Sequence, residues 1–393
     1  MDGEKGFPVK QQAVTVATGF AAFGKRLEGS VDLIGARAVR ALFTGSGISR
    51  DVVDEVYVGS SKGGSLIAQR SLRFAGLATG LPIYNVENAC ASSAVAFQLA
   101  VRAIEAGQIG CALVLGVDQL SSLGRGALPV QATEWDGRSG LTNPAVYAMR
   151  ATRYMEETGA TPEDLAAVAV KSRSFSDRNP VAQQKGAVTV EQVLASRPIA
   201  DPLTLLQCSP KSDGAAAVLV MAQDVARKND LAGPVVRASV LRSGEFSMAA
   251  RDITRPDITT RAASAAFDQA GLGPEDLDVV ELHDAFTIAE ILYVEELGLC
   301  SEGEGGAVTR SGATSALSSG PLPLVNPSGG LIGRGHPIGP TGIAQIAEVH
   351  EQLMGWSGSR QRENARVGLA HVTGGGASGF DNGACVVTIL SSS

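Results

Sequence analysis

The residues with reactive side chains in this 393-residue chain are one cysteine at a turn and three histidines far from it in sequence. Cys90 lies in Asn85-Val-Glu-Asn-Ala-Cys-Ala-Ser-Ser-Ala94, where an apolar run ends and a helical pattern begins. Ala94, Val95, Phe97, Leu99, Ala100 and Ile104 set the helical spacing, Gly107 stops it, and Ser92 and Ser93 are the candidate N-caps. A thiol there faces unpaired backbone N–H groups and the positive end of the helix dipole, which favours the thiolate a nucleophile needs. The competing reading is a buried, inert cysteine. His283, His336 and His371 each fall at the end of a predicted strand, the level at which α/β sheets gather ligands and reactive groups. The fourth histidine, His350, sits in a predicted helix with Ala347 and Leu353 and reads as a surface or satisfied position. A thiol beside an imidazole makes a nucleophile for acyl transfer. Backbone N–H groups of Gly374, Gly375 and Gly376 could stabilise a thioester oxyanion, although a triple glycine also fits a plain tight turn. Neither a dinucleotide fingerprint nor a Walker motif is present, which argues against hydride transfer and ATP use.

The elements that must position these groups alternate between strand and helix, the pattern of an α/β fold with a parallel or mixed sheet. Apolar residues make up 44% of the chain, aromatic residues only 5%, and there are 47 glycines, as in a closely packed globular enzyme. The net charge of −7 argues against nucleic acid or an anionic membrane as partner. No window approaches roughly 18 consecutive apolar residues, and Met1-Asp-Gly-Glu-Lys-Gly has no signal-peptide pattern. Five cysteines at widely spaced positions support neither a disulfide framework nor a zinc site, so a reducing cytoplasm is expected and no metal.

One pattern occurs twice. Strands at Val14–Ala17, Asp54–Val58, Ile83–Val86 and Ala112–Val117 are answered by Val235–Leu241, Asp278–Leu282, Leu324–Asn326 and Ala365–Ala370, with helices between them at matching places. We read an internal duplication of one α/β unit. Residues 1–232 form the first half, including an inserted loop domain of about 120–210, and residues 233–393 the second. Insertions of that size on strand ends commonly cover an active site. In this alignment His336 occupies the place of Cys90, in the turn before the equivalent helix.

Asn-Ala-Cys-Ala-Ser-Ser at Cys90, His-Asp-Ala-Phe at His283, Asn-Pro-Ser-Gly-Gly from Asn326, Gly-His-Pro-Ile-Gly-Pro-Thr-Gly at His336 and the late triple glycine together resemble the thiolase superfamily. His283 in place of asparagine is similar to the sterol-carrier-protein type and to related archaeal and bacterial acetyl-CoA acetyltransferase-like thiolases. The resemblance implies a five-layered αβαβα fold and dimerisation through the first half. It implies coenzyme A thioesters as substrates, with no permanently bound cofactor. Cys90 would take the acyl group; His336 would activate it and, with a water held by His283, bind one thioester oxygen. The amides of Cys90 and Gly374 would form a second oxyanion hole, with Gly375 and Asn326 among the substrate-binding residues. A small zinc-ribbon/OB-fold accessory protein is an expected partner. The family's second cysteine, the acid/base at the α-carbon, is missing: its two known places read Val372 and Ala285, leaving His371 as the nearest replacement. Thiolysis or condensation of a 3-ketoacyl thioester is the first reading. Acyl transfer to another acceptor, retro-aldol cleavage of a thioester, and a non-catalytic acyl-CoA-binding scaffold are the alternatives.

Overall fold

Strand β4 (Cys111–Gln119) shows why this chain folds in layers. Cys111, Leu113, Leu115 and Val117 pack into one apolar cluster, while Ala112 and Val114 pack into another on the opposite face. A strand apolar on both faces must be covered on both faces. The computed structural model describes residues 11–393 except 78–79, 125–127, 129–134, 246–251, 256 and 379–380.

The first half contributes β1 (Ala13–Gly24), β2 (Glu55–Gly59), β3 (Ile83–Val86), β4 and β5 (Asp213–Ala222). The second contributes β6 (Val235–Ser243), β7 (Val279–Glu281), β8 (Leu324–Val325), β9 (Val367–Ser378) and β10 (Asp381–Ser391). They form a ten-stranded sheet in the order β8-β7-β9-β10-β6-β1-β5-β4-β2-β3. Read outward from the centre, the first half runs first strand, fifth, fourth, second, third, and the second half repeats that order. The pairings repeat as well: antiparallel for the inner two contacts, parallel for the outer two. The halves join through a single register pair, Val14 with Val235.

Helices α1 (Val31–Ser46) and α2 (Ile67–Ala75) cover one face of the first half. The outer face of the second half is covered by α6 (Asp257–Ala270) and α7 (Thr287–Glu296), together with the inserted helices α4 (Asn143–Thr158) and α5 (Pro162–Arg178). Between the halves lie α3 (Ser92–Glu105) and α8 (Thr341–Leu353), which share one core with strands from both. The result is the five-layered αβαβα arrangement, with the inserted segment on the second half. No helix among the described residues is long and apolar enough to cross a membrane.

Two local expectations are corrected. Ser92 and Ser93 are not caps: a 3-10 turn at Ala89–Ala91 precedes α3, and both serines belong to its first turn. The strand expected to close at His371 continues to Ser378, because β9 and β10 form a long antiparallel pair.

Candidate active site

Cys90 sits in the turn between β3 and α3, and the turn is held in a demanding conformation. Ala89 has φ 49°, in the left-handed region that costs an L-residue about 1–2 kcal/mol. Ser92 compensates locally: its Oγ accepts from the Asn88 amide at 2.8 Å and donates to the Ala89 carbonyl at 2.6 Å. Strand β9 clamps the turn from the second half. A Cβ on Gly374 would lie 2.3 Å from the Asn88 carbonyl oxygen, and Gly375 has φ 59° with Ala89 beside it. Only glycine fits there, and the triple-glycine segment is in this way part of the cysteine's seat.

His336 reaches the same place from the second half. Its amide donates to Ser212 Oγ at 2.8 Å, its Nδ1 lies 2.9 Å from Thr341 Oγ1, and its Nε2 lies 3.4 Å from Cys90 Sγ. The turn that carries it is tied to the first half by Asp118 at the end of β4. That buried carboxylate accepts from the Gly339 amide (2.8 Å), Ser60 Oγ (2.7 Å) and the amides of Ser61 (3.0 Å) and Lys62 (2.7 Å). The starts of α3 and α8 are stitched directly: the Ser93 amide donates to Gly339 O at 3.2 Å, and Ser93 Oγ accepts from the Ile343 amide at 3.0 Å. The two copies thus meet helix start to helix start, which brings a thiol from one beside an imidazole from the other.

His283 follows β7 and is buried, 4% exposed. Its ring meets that of His336 edge-on, with centroids 5.1 Å apart and planes at 85°. Cys90, His283 and His336 each bring one nitrogen or sulfur within 4.8 Å of the others. Asn326, expected among the substrate-binding residues, is instead fully buried and fully engaged. Its Oδ1 accepts from the Leu282 amide at 2.9 Å and its Nδ2 donates to Glu290 Oε2 at 2.8 Å. Glu290 also pairs with Lys171 of α5. Asn326 has φ 55°, so this amide fixes a left-handed turn and the backbone leading into His283, with both of its polar atoms bonded within the protein.

Burial dominates the electrostatics. It pushes the Cys90 thiol up to about 12, against the amides of Gly375 and of Cys90 itself and the charge of Lys62, while Asp118 pushes the same way as burial. The thiolate expected from the helix dipole is therefore not the resting state: loss of water outweighs the favourable amides. Burial, then the Arg334 charge, lowers His336 to about 3. His283 lies well below the usual imidazole range, through burial first and then the charges His336, His371 and Arg334 would carry. At neutral pH the group rests as a thiol and two neutral imidazoles. In the tautomer that carries its proton on Nδ1 and donates it to Thr341 Oγ1, the Nε2 lone pair of His336 faces the thiol.

His371 is not in this group. Along β9 the side chains alternate: Ala370 and Val372 face the central helices, whereas Leu369 faces the outer ones. His371 shares the parity of Leu369. Its Nε2 lies 3.1 Å from Thr259 Oγ1 on α6, and its ring packs edge-on against Tyr293 on α7 at 4.6 Å. The pleat points it away from the thiol, which corrects its expected place as the substitute acid/base. Val372 packs against Ala91, Ala94, Val95, Ala384 and Val386, and Ala285 lies in the outer apolar cluster, so neither position carries a transferable proton. His350 is no surface residue: it is buried, with Nδ1 2.8 Å from Thr15 Oγ1. Sequence reasoning passed over Ser212, Thr341 and Asp118. Thr341 lies five residues after His336 in the same motif, and Asp118 is a carboxylate near the end of an otherwise apolar strand; both signals were in view.

Comparison with known proteins shows the family. The model of the thiolase N-terminal domain matches residues 13–224, and that of the thiolase C-terminal domain-like family matches residues 242–388. The chain belongs to the thiolase family, a family of acyltransferases. It is similar to the benzoylsuccinyl-CoA thiolase subunit BbsB of Thauera aromatica, 40% identical over 94% of this chain and 96% of that one. An acetyl-CoA acetyltransferase of Methanothermobacter thermautotrophicus is 44% identical over 84% of this chain and 88% of its own. Among solved structures, the Ltp2-ChsH2(DUF35) aldolase superposes with a TM-score of 0.82 at 27% identity, covering 98% of both chains.

Proposed function

We propose that this protein is a thiolase-type acyltransferase that acts on coenzyme A thioesters through an acyl group carried on Cys90. The observation that supports this most directly is the 3.4 Å contact between Cys90 Sγ and His336 Nε2. In the first half-reaction Nε2 takes the thiol proton as sulfur attacks the thioester carbonyl. The carbonyl oxygen takes up negative charge, which the amides of Cys90 and Gly374 stabilise, while His336 and a water on His283 would serve as the other oxyanion hole. The coenzyme A thiolate leaves with the proton from His336, and the acyl group stays on sulfur. Because thiol and imidazole rest neutral, the ion pair forms only as the substrate arrives.

A second reading is retro-aldol cleavage of a thioester, in which Cys90 is not acylated. It is favoured by the apolar residues Val372 and Ala285 at both places where the family carries its second cysteine, and by the similarity to an aldolase. Two assemblies complete the proposal. A homodimer would form at the free edge of β3, where Leu66, Phe74 and Tyr84 are exposed apolar residues. A small zinc-ribbon/OB-fold subunit would help hold coenzyme A, by analogy with the DUF35 component named with the aldolase.

Thiolysis of acetoacetyl-CoA, with and without such a subunit, tests the reaction. Acetyl-CoA formation by the native protein, abolished in Cys90→Ser, is the expected result. Cleavage of a 3-hydroxyacyl-CoA to aldehyde and shorter thioester, retained in Cys90→Ser, would replace the first reading with the second.

A further inference from the structure

We propose that Cys90, His283 and His336 also form an inhibitory site for a thiophilic divalent cation, zinc or cadmium, with these three ligands and one position left to water. The three residues bring one ligand atom each within 4.8 Å of one another, and the Cys90–His336 pair is already at 3.4 Å. Ligands about 2.0–2.3 Å from a tetrahedral zinc lie roughly 3.3–3.8 Å apart, so closing the set requires side-chain shifts of about an ångström. The ligand types are the soft sulfur and the borderline imidazoles that zinc selects over oxygen donors.

Two features show that the surroundings are built for it. His336 has the outer partner that metal-ligating histidines use: Thr341 Oγ1 at 2.9 Å from Nδ1 fixes the ring and leaves Nε2 to the metal. His283 is buried, and its Nδ1 has no hydrogen-bond partner among the described residues, so the protein leaves a ring nitrogen of this residue unclaimed. No sequence spacing advertises the set, because residues 90, 283 and 336 come from three separate turns. On binding, the Cys90 S–H bond breaks, a sulfur–metal bond forms and the proton goes to solvent. Both imidazoles bind neutral, and the metal does not change oxidation state. The metal takes the lone pairs that the acyl chemistry would use, so occupancy blocks the reaction.

The test titrates cadmium chloride into the full chain without any thioester, following the sulfur-to-cadmium charge-transfer band in the ultraviolet. One equivalent per chain is expected, displaced by zinc chloride and removed by chelator. The band should vanish in Cys90→Ser and in wild-type protein carbamoylmethylated at Cys90, the second sample serving if the variant misfolds. Thr341→Val should weaken binding by about 10–100-fold, the usual effect of losing an outer partner, and His283→Asn by more. A band that persists after Cys90 is blocked, or affinity unmoved by His283→Asn, overturns the proposal. This readout needs no turnover, so it stands or falls separately from acyl transfer.

Discussion

The two copies of the α/β unit end their third strands in opposite surroundings. Strand β3 lies at the edge of the sheet with Tyr84 and Asn85 exposed, and reaches α3 through a short turn that carries Cys90. Strand β8 ends beneath the inserted helices, and residues 324–335 are buried without interruption before His336. One topology thus supplies two different supports. The cysteine side is lightly braced, held by a few hydrogen bonds around a left-handed alanine. The histidine side is a dense polar network: Asn326 with Glu290 and Lys171, Arg334 with Glu281 at 3.3 Å, and Asp284 accepting from the Leu331 amide at 2.7 Å. The inserted helices α4 and α5 make this difference, because they pack into the apolar cluster of the second half. A pair such as Lys171–Glu290, unlike an isolated buried charge, is compensated on both sides, and its value here is in fixing where the imidazole stands.

This contrast can be broken or sharpened by mutation. The largest expected effect is at the imidazole: His336→Asn should lower kcat/KM for thiolysis by about 10²–10⁴-fold with the fold intact. A loss of less than tenfold would show that the thiol has another base. Next is the support. Asn326→Ala leaves the Leu282 amide and Glu290 Oε2 without their hydrogen-bond partner and should cost about 1–3 kcal/mol in urea unfolding. Asn85→Ala, on the exposed edge, removes the acceptor of the Ala68 amide (3.0 Å) at the start of α2 and should cost less, about 0.5–1 kcal/mol. Equal losses at the two positions would erase the distinction drawn above. The resting state of the thiol gives a pH test. A thiol pushed up to about 12 is neutral below that value, so its thiolate fraction grows about tenfold per pH unit as pH rises. Iodoacetamide should therefore alkylate Cys90 faster by about tenfold per unit between about pH 7 and 10. A plateau below about pH 8 would mean that a thiolate–imidazolium pair exists before substrate binds. The smallest effect is at the turn: in Ala89→Gly the relief of left-handed strain and the added backbone freedom nearly cancel, leaving stability within about 1 kcal/mol. Thermal melts of that variant measure it.

Much of this architecture was legible in the chain itself. The layers follow from strands apolar on both faces, and the equivalence of His336 and Cys90 follows from reading one unit twice. What was not legible depends on facts that sequence position alone does not carry. His371 appeared to close a strand, but the strand runs on, and one residue of pleat parity sends the ring to the outer layer. Asn326 opens a glycine-rich motif and looks like a ligand contact; its hydrogen bonds to residues 44 and 36 positions away show it to be a brace. The nearby amides of Gly375 and Cys90 do favour the thiolate, yet the depth to which Cys90 is desolvated belongs to tertiary packing.

The central claim is that Cys90 carries the acyl group, and the most direct measurement is a quench experiment. Native protein mixed with isotope-labelled acetyl-CoA, denatured in acid and digested should yield one labelled peptide containing Cys90. The label should be lost on treatment with hydroxylamine and absent in His336→Asn at the same mixing time. Full turnover of a thioester substrate with no label on that peptide at any time would contradict the account.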